Sequence, residues 1–243
     1  MENIVDYLWA KKEEKEGIFS WLPLPVHLED TGRIMGLLWE HWLSDGQKKI
    51  VSDDIDIGKQ IAIFIGAIHD IGKASPAFQL KKGFANSKDL DNELTDKLIK
   101  AGLTDIDKLI LAAPEKTPHG LAGEVILCTL NNRFKKENDI GSIVGGHHGR
   151  PIDNKGIISE TLASYKKNLF QSEDENSYIY KKWLSVHNGI LNKALKNSGF
   201  EKCEDIPILS QPAQAMILGL LTMADWIASN TYFFPLIGLF DDA

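Results

Sequence analysis

Apolar residues recur at helical spacing along most of the chain. Ile4, Val5, Leu8 and Trp9, set against the charged run Lys11 to Glu16, predict a short amphipathic helix over residues 1–16. Trp21-Leu22-Pro23-Leu24-Pro25 must be extended, because proline restricts its own backbone and that of the residue before it. From His27 to Leu43, Ile34, Met35, Leu37, Leu38, Trp39 and Trp42 fit a helix. The acidic approach Asp53 to Asp56 suits a helix N-terminus and precedes Ile61-Ala62-Ile63-Phe64-Ile65-Gly66, a run long enough to form a buried helix. Ala67-Ile68-His69-Asp70-Ile71-Gly72-Lys73 closes that run. Gly72 fits the left-handed position that ends many helices, which would place His69 and Asp70 in the last turn.

Residues 75–112 are more polar, with helical pieces such as Leu94 to Leu103, and read as a mobile insertion. Thr117-Pro118-His119 has the form of a helix start, a threonine cap followed by proline in the first turn. The apolar run through Leu130 continues that helix and puts His119 at its beginning. Ile140 to Gly149 carries Ile143 and Val144 and ends in His147-His148-Gly149. Residues 151–175 read as loop and polar helix, Tyr178 to Leu195 as a helix, and Ser210 or Gln211 with Pro212 opens a last helix through Asn230. There is no internal repeat, low-complexity tract or alternating strand pattern. The expectation is one all-α domain over residues 1–243.

Composition narrows the class. Hydrophobic residues make up 43% and charged residues 25% of the 243, ordinary for a soluble globular protein with a real core. The formal net charge of −7 argues against a broad basic face for duplex DNA, but not against a narrow site whose charge comes from bound cations. Cys128 and Cys203 have no ligand-like spacing and read as thiols in a reducing cytosol. The N-terminus lacks the form of a signal peptide. The stretch between Asp205 and Asp225 is uncharged and near membrane-spanning length, but Pro207, Ser210, Gln211, Pro212, Gln214 and Thr222 favour a core helix. A cytoplasmic protein without a membrane partner is expected.

The chemistry lies in histidine and aspartate. Of seven histidines, five occupy special positions: His27 before a helix, His69 at a helix end, His119 at a helix start, and the pair His147-His148 before glycine. His41 and His187 read as ordinary surface or core residues. Asp225 follows the almost wholly apolar Ile217 to Ala224, where a carboxylate needs a partner. Either it bonds backbone or Ser229 one turn later, or it is a metal ligand held by Ser229. Taken together, five histidines and two aspartates could supply about four ligands to each of two metals if Asp70 bridges them. Metals about 3.5–4 Å apart clamp the attacking and leaving oxygens of a phosphoryl substitution and generate hydroxide near neutral pH. No nucleophile elbow or glycine-rich phosphate loop competes with this reading. Imidazole-rich ligands favour manganese, iron, cobalt, nickel or zinc over magnesium.

His27, His69-Asp70-Ile71-Gly72-Lys73, His119-Gly120, His147-His148-Gly149 and Ala224-Asp225-Trp226-Ile227-Ala228-Ser229-Asn230 resemble the HD nuclease domain of the CRISPR-associated helicase-nuclease of type I systems. That domain lies within the HD metal-dependent phosphohydrolase superfamily. The resemblance runs from about residue 20 to 235 with every motif in order. It implies an all-α fold and a pair of divalent transition-metal ions, with Mn, Fe, Co or Ni ahead of Mg. His27, His69, Asp70 and Asp225 would hold one ion, and Asp70, His119, His147 and His148 the other. Asp70 and Lys73 would be the catalytic pair, with Lys73 directed at the substrate phosphate and Ser229 supporting Asp225. Family members cut single-stranded DNA, and in most of them a helicase follows and feeds in the displaced strand.

The expected partners are therefore single-stranded DNA, a helicase in cis or in trans, and through it a CRISPR surveillance complex. The chain ends at Phe240-Asp241-Asp242-Ala243 with no Walker motif. It is either a domain cut from a longer protein or a separate nuclease subunit, and its apolar tail over residues 232–240 suggests a surface facing a helicase. Arg150, beside the double histidine, is the favoured phosphate contact. Lys166, Lys167, Tyr178, Tyr180, Lys181, Lys182 and Trp183 have the composition of a single-strand platform but read better as a solvated amphipathic helix. Two further readings remain open: an HD phosphohydrolase of nucleotides or cyclic dinucleotides, which would want a closed pocket, and a docking module without chemistry, which would not need two tightly bound ions.

Overall fold

The computed structural model describes residues 4–83, 88–134, 140–149 and 155–240. The central apolar run lies in helix α3 (Ile55–Ile68), where Ile61, Ala62, Phe64, Ile65 and Ile68 are wholly buried. Asp54 caps it, its carboxylate accepting from the backbone N–H groups of Asp56 and Ile57. Helix α1 (Leu24–His41) packs along one side of α3, crossing it at Gly66, where a Cβ would come within 2.9 Å of the Gly32 Cα. Helix α2 (Asp45–Val51) bridges α1 to α3 in sequence. Helices α10 (Tyr178–Ser198) and α11 (Gln211–Ala228) complete the packing around α3, with α11 also lying on α1. Helices α6 (His119–Thr129) and α7 (Ile140–Gly146) pack as a pair, and α6 meets the turn that follows α3. One core cluster extends from Ile4 to Ala228 and joins all of these.

The all-α expectation holds, with one local correction. The described part of the predicted N-terminal helix, residues 4–16, is not an α-helix. Residues 4–7 make a single 3₁₀ turn, and strands β1 (Trp9–Lys15) and β2 (Ile18–Pro23) pair antiparallel. The turn between them is Glu16-Gly17, both residues at positive φ (54° and 78°), the requirement of a tight hairpin whose twist matches its strands. A two-residue strand, β3 (Ile237–Gly238), adds to the far edge of β2. The apparent helical spacing arose because Ile4 and Val5 serve the 3₁₀ turn while Trp9 is buried from a strand. The extended stretch ends at Pro23, and Leu24 and Pro25 already belong to the first turn of α1, where proline is tolerated.

Residues 75–112 contain α4 (Pro76–Gln79) and α5 (Lys88–Lys100), and their described part is packed into the molecule. Leu98, Leu103 and Ile106 enter the main core, and Leu90 and Leu94 form a smaller cluster with Trp9, Trp21 and Leu239. The buried Gln79 amide joins this region to β1: it accepts from the Trp9 backbone N–H at 3.1 Å and donates to the carbonyls of Trp9 at 3.0 Å and Lys73 at 2.8 Å. Helices α8 (Lys155–Ser164) and α9 (Lys166–Phe170) lead to α10, whose Tyr180 and Trp183 are buried and cannot present stacking faces. Tyr178, on the same helix, is exposed, with the Lys182 ammonium over its ring. Among the described residues no helix is long and apolar enough to cross a membrane.

Gly72 carries a second correction. Its φ is not positive, and α3 ends at Ile68 with His69 as its cap. Gly72 instead lies in a 3₁₀ turn (Ile71–Lys73) pressed against α6, and a Cβ there would sit 1.9 Å from the His119 carbonyl oxygen and 2.5 Å from the Gly123 nitrogen. Both neighbours are backbone and cannot swing aside. Gly72→Ala is therefore expected to cost about 3 kcal/mol or more, read as a lower melting temperature.

His187 is wholly buried and its Nε2 donates to the Ala74 carbonyl at 2.7 Å, the satisfied core role foreseen for it. Burial pushes its pKa down from 6.5 to about 4. The unfolded chain therefore takes up a proton that the folded one refuses, so stability falls as pH drops from 6.5 toward 4. His187→Gln should flatten that part of the stability–pH curve by up to about 3 kcal/mol, measured by melts across the range.

Candidate metal centre

Five elements converge on Asp70. α1 contributes His27, the end of α3 contributes His69 and Asp70, α6 contributes His119, the turn after α7 contributes His147 and His148, and α11 contributes Asp225. His119 is the first residue of α6, with Pro118 rather than Thr117 at the cap position. The Thr117 hydroxyl instead donates to the Pro114 carbonyl and accepts from Asn168.

These side chains form two groups. His27, His69, Asp70 and Asp225 are all buried, with one ligand atom of each within 4.8 Å of the others. His119, His147 and His148 form the second under the same limit, and it opens outward: His147 is buried, His119 partly so, His148 exposed. Asp70 stands between them with one oxygen toward each. Its Oδ2 lies 3.0 Å from His27 Nε2 and 3.2 Å from His69 Nε2. Its Oδ1 lies 3.4 Å from His119 Nε2 and 3.5 Å from His147 Nε2. Asp225 Oδ1 sits 3.5 Å from both His27 and His69 and accepts from the Ser229 hydroxyl at 3.1 Å.

The ring orientations aim nitrogen atoms into the centre. His69 Nδ1 donates to the Gly66 carbonyl at 2.8 Å, and His147 Nδ1 donates to the Val144 carbonyl at 2.5 Å. Each ring then turns its Nε2 inward, and those two atoms and Asp70 Oδ1 have no hydrogen-bond partner among the described residues. Buried polar atoms are rarely left in that state. His119 and His148 approach Nε2 to Nε2 at 2.6 Å, a contact that needs a proton or a cation between the two lone pairs. The donor set fits divalent metal in both groups, imidazole and carboxylate in the first and imidazole with one carboxylate oxygen in the second.

Charge distribution agrees. Burial works to raise the Asp70 pKa, but the Lys73 ammonium, His69 and the His147 and His27 rings beside it hold it well below the carboxylate range. Burial likewise opposes ionisation of Asp225, and the His27 and His69 rings, each 3.5 Å from its Oδ1, overcome it. For His69, burial is outweighed by Asp70 and Asp225, which push it up to about 9. In the outer group, burial drives His119 down to about 3, assisted by Lys73, and burial with His147 lowers His148. The inner group is rich in negative charge, and in the outer group His119 and His148 are held toward the neutral form that metal ligation requires.

The structure thus brings together all seven residues read from the sequence as ligands, with Ser229 bonded to Asp225. Lys73 is buried and its Nζ donates to Asp70 Oδ2 at 2.6 Å. Arg150 lies outside the described residues. Three neighbours of the centre were missed. Lys11 on β1 donates to the Ser229 carbonyl, Phe78 on α4 meets the His119 ring edge-on at 5.7 Å between centroids, and the Thr222 hydroxyl donates to the His147 carbonyl at 3.2 Å. Lys11 and Phe78 were hidden in stretches read as an amphipathic helix and a mobile insertion.

The family model for the HD domain of Cas3 matches residues 9–234. The chain belongs to the Cas3 HD domain family. A "CRISPR-associated nuclease/helicase Cas3" of Streptococcus thermophilus is 49% identical over 98% of this chain and 26% of its own length. A "CRISPR-associated endonuclease/helicase Cas3" of Thermus thermophilus is 24% identical over 94% of the chain and 22% of its own length. The chain therefore spans about a quarter of these curated relatives. Among solved structures, a CRISPR-associated protein superposes with a TM-score of 0.74 at 24% identity, covering 96% of this chain and 24% of that one. The Thermus thermophilus Cas3 HD domain determined with Ni2+ gives a TM-score of 0.51 at 20% identity, over 96% of this chain and 80% of that one. These two likenesses show the fold.

Removing the Ser229 hydroxyl frees Asp225 without touching a ligand. Ser229→Ala is expected to weaken divalent-metal binding by about tenfold or more while melting near the wild-type temperature, measured by calorimetric titration with Mn2+.

Proposed function

We propose that this chain is a metal-dependent nuclease domain that hydrolyses phosphodiester bonds of single-stranded DNA at a dinuclear centre. One observation carries the reading: Asp70 directs one oxygen to each of two histidine-rich groups, the arrangement a bridging ligand needs. His27, His69, Asp70 and Asp225 would hold one ion, and Asp70, His119, His147 and His148 the other. When bound, the pair would activate water near neutral pH and offset the charge that builds on the phosphoryl oxygens. Mn, Fe, Co or Ni suit these ligands better than Mg.

The chain's own residues do the rest. The Nδ1 bonds to Gly66 and Val144 fix His69 and His147 in the ligating tautomer. Ser229 orients Asp225, and Lys73 places a positive charge beside Asp70 from which it can reach an incoming phosphate. The exposed His148 marks the side from which substrate arrives. Arg150 next to it would add a phosphate contact. The relatives' names support a nuclease coupled to a helicase. A structurally similar chain found in a "CRISPR RNA-guided surveillance complex, pre-nicking" supports delivery to such a complex. We read the partners as single-stranded DNA, a helicase in cis or in trans facing the exposed Trp226, Tyr232, Phe233 and Phe240, and a surveillance complex reached through it. The setting of these reactions is the cytoplasm.

Asp70→Ala is expected to reduce nicking of closed circular single-stranded DNA by more than about 100-fold, since even residues that only support ligands cost about 10–100-fold. His148→Ala, at an exposed position, should lose activity with no change in melting. Chelation should silence the wild type and Mn2+, Co2+ or Ni2+ restore it. Wild-type nicking by Asp70→Ala, or turnover of free nucleotides with none of circular DNA, would overturn the reading.

A further inference from the structure

Beside the metal centre lies a cavity of about 480 Å³ between β1, the segment after α4 and the residues following α11. That volume is within the roughly 300–1,000 Å³ of small-ligand pockets. Its lining includes Trp9, Lys11, Lys12, Phe78, Lys81 and Lys82. Four lysines face only two carboxylates there, Glu13 and Glu14, in a chain whose formal net charge is −7. With Lys12 paired to Asp91, three lysines remain against the two carboxylates, a small local excess of positive charge on an acidic protein.

Its walls are continuous with the centre. The half-buried Phe78 ring rests on Trp9, centroids 4.4 Å apart, and meets His119 on another side. The Lys73 Nζ lies 5.6 Å from the same ring. Lys11 donates to the carbonyl of Ser229, whose hydroxyl holds Asp225. Burial and Lys73 lower the Lys11 pKa while Asp225 and Asp70 act against them, so its ammonium stands within the field of the centre. Lys12 is committed to Asp91 at 2.7 Å and covers the Trp9 ring. Lys81 and Lys82 are exposed and make no ion pair among the described residues.

We propose that this cavity is a nucleotide subsite, holding the nucleotide next to the bond to be cut with Lys11, Lys81 and Lys82 on its phosphates and Phe78 against its base. Lysines with an aromatic floor are the combination that binds single strands, because an unpaired base has a free ring face and a duplex does not. An acidic peptide would use the lysines but leave the aromatic face without a role. The inference rests on the nuclease reading above and adds to it a place for the substrate outside the ligand set.

The test compares the full chain with Lys81→Gln/Lys82→Gln and with Phe78→Leu. Binding of a fluorescent phosphorothioate oligothymidylate is followed by anisotropy over a salt series, alongside Mn2+-dependent hydrolysis of bis(p-nitrophenyl) phosphate, which is too small to need the subsite. Loss of two phosphate contacts should weaken strand binding about tenfold or more and reduce the salt slope by roughly 1.4. Phe78→Leu should weaken binding about fivefold or more with an unchanged slope. Lys81→Gln/Lys82→Gln should hydrolyse the small diester like wild type; Phe78→Leu, whose ring packs on His119, is read by strand affinity and salt slope alone. Unchanged strand affinity with normal hydrolysis sinks the subsite alone. An equal loss in Lys108→Gln/Lys202→Gln, outside the cavity, would reduce the effect to bulk charge and overturn it. So would displacement of the strand by polyglutamate at the concentration at which unlabelled oligothymidylate displaces it. Absence of diester hydrolysis in the wild type would remove the nuclease reading itself.

Discussion

A carboxylate without solvent is the constraint on which this molecule turns. Asp70 is 1% exposed at the end of the most apolar helix, a position that is tolerable only if surrounding groups supply positive charge and hydrogen bonds. Lys73, His27 and His69 face one of its oxygens, and His119 and His147 face the other. Removing any one of these would leave buried charge uncompensated. The packing of α1, α6, α7 and α11 around the end of α3 is therefore also an electrostatic requirement.

Backbone contacts set the spacing that this requires. Gly72 lets the turn after Asp70 touch the first turn of α6, which brings His119 within reach of Asp70 Oδ1. The Thr222 hydroxyl on α11 ties the His147 carbonyl to the helix that carries Asp225. Gln79 fastens β1 to the Lys73 carbonyl, so the small sheet is anchored to the same turn. The N-terminal hairpin is thus part of the rim of the centre, and it carries the lysine that reaches Ser229.

The two groups differ in a way that divides their labour. The inner one is closed and holds both aspartates; the outer one reaches solvent at His148, and burial lowers the pKa of its His119 and His148. Sites that hold metal for catalysis keep an open side, and the outer group's His119 packs against Phe78, which lines the lysine-rich cavity. Belonging to the Cas3 HD domain family agrees with this arrangement.

The order of residues alone was enough for the helical class and for singling out the histidines and aspartates that the fold brings together. Long apolar runs have a period that needs no tertiary information, and histidine or aspartate in an apolar setting signals its own cost. It also showed Ser229 one turn beyond Asp225, a relation local to one helix. The hairpin at residues 9–23 was settled by packing instead, because Lys11 to Glu16 has no alternation, and pairing with β2 rather than local pattern makes it a strand. Gly72 followed the same rule: its role comes from the backbone of α6, nearly fifty positions away, and not from its own turn. The division of His27 and His69 from His119 and His147 across the two oxygens of Asp70, and the place of Lys11 and Phe78 beside them, depend on contacts between distant segments, which a one-dimensional pattern does not encode.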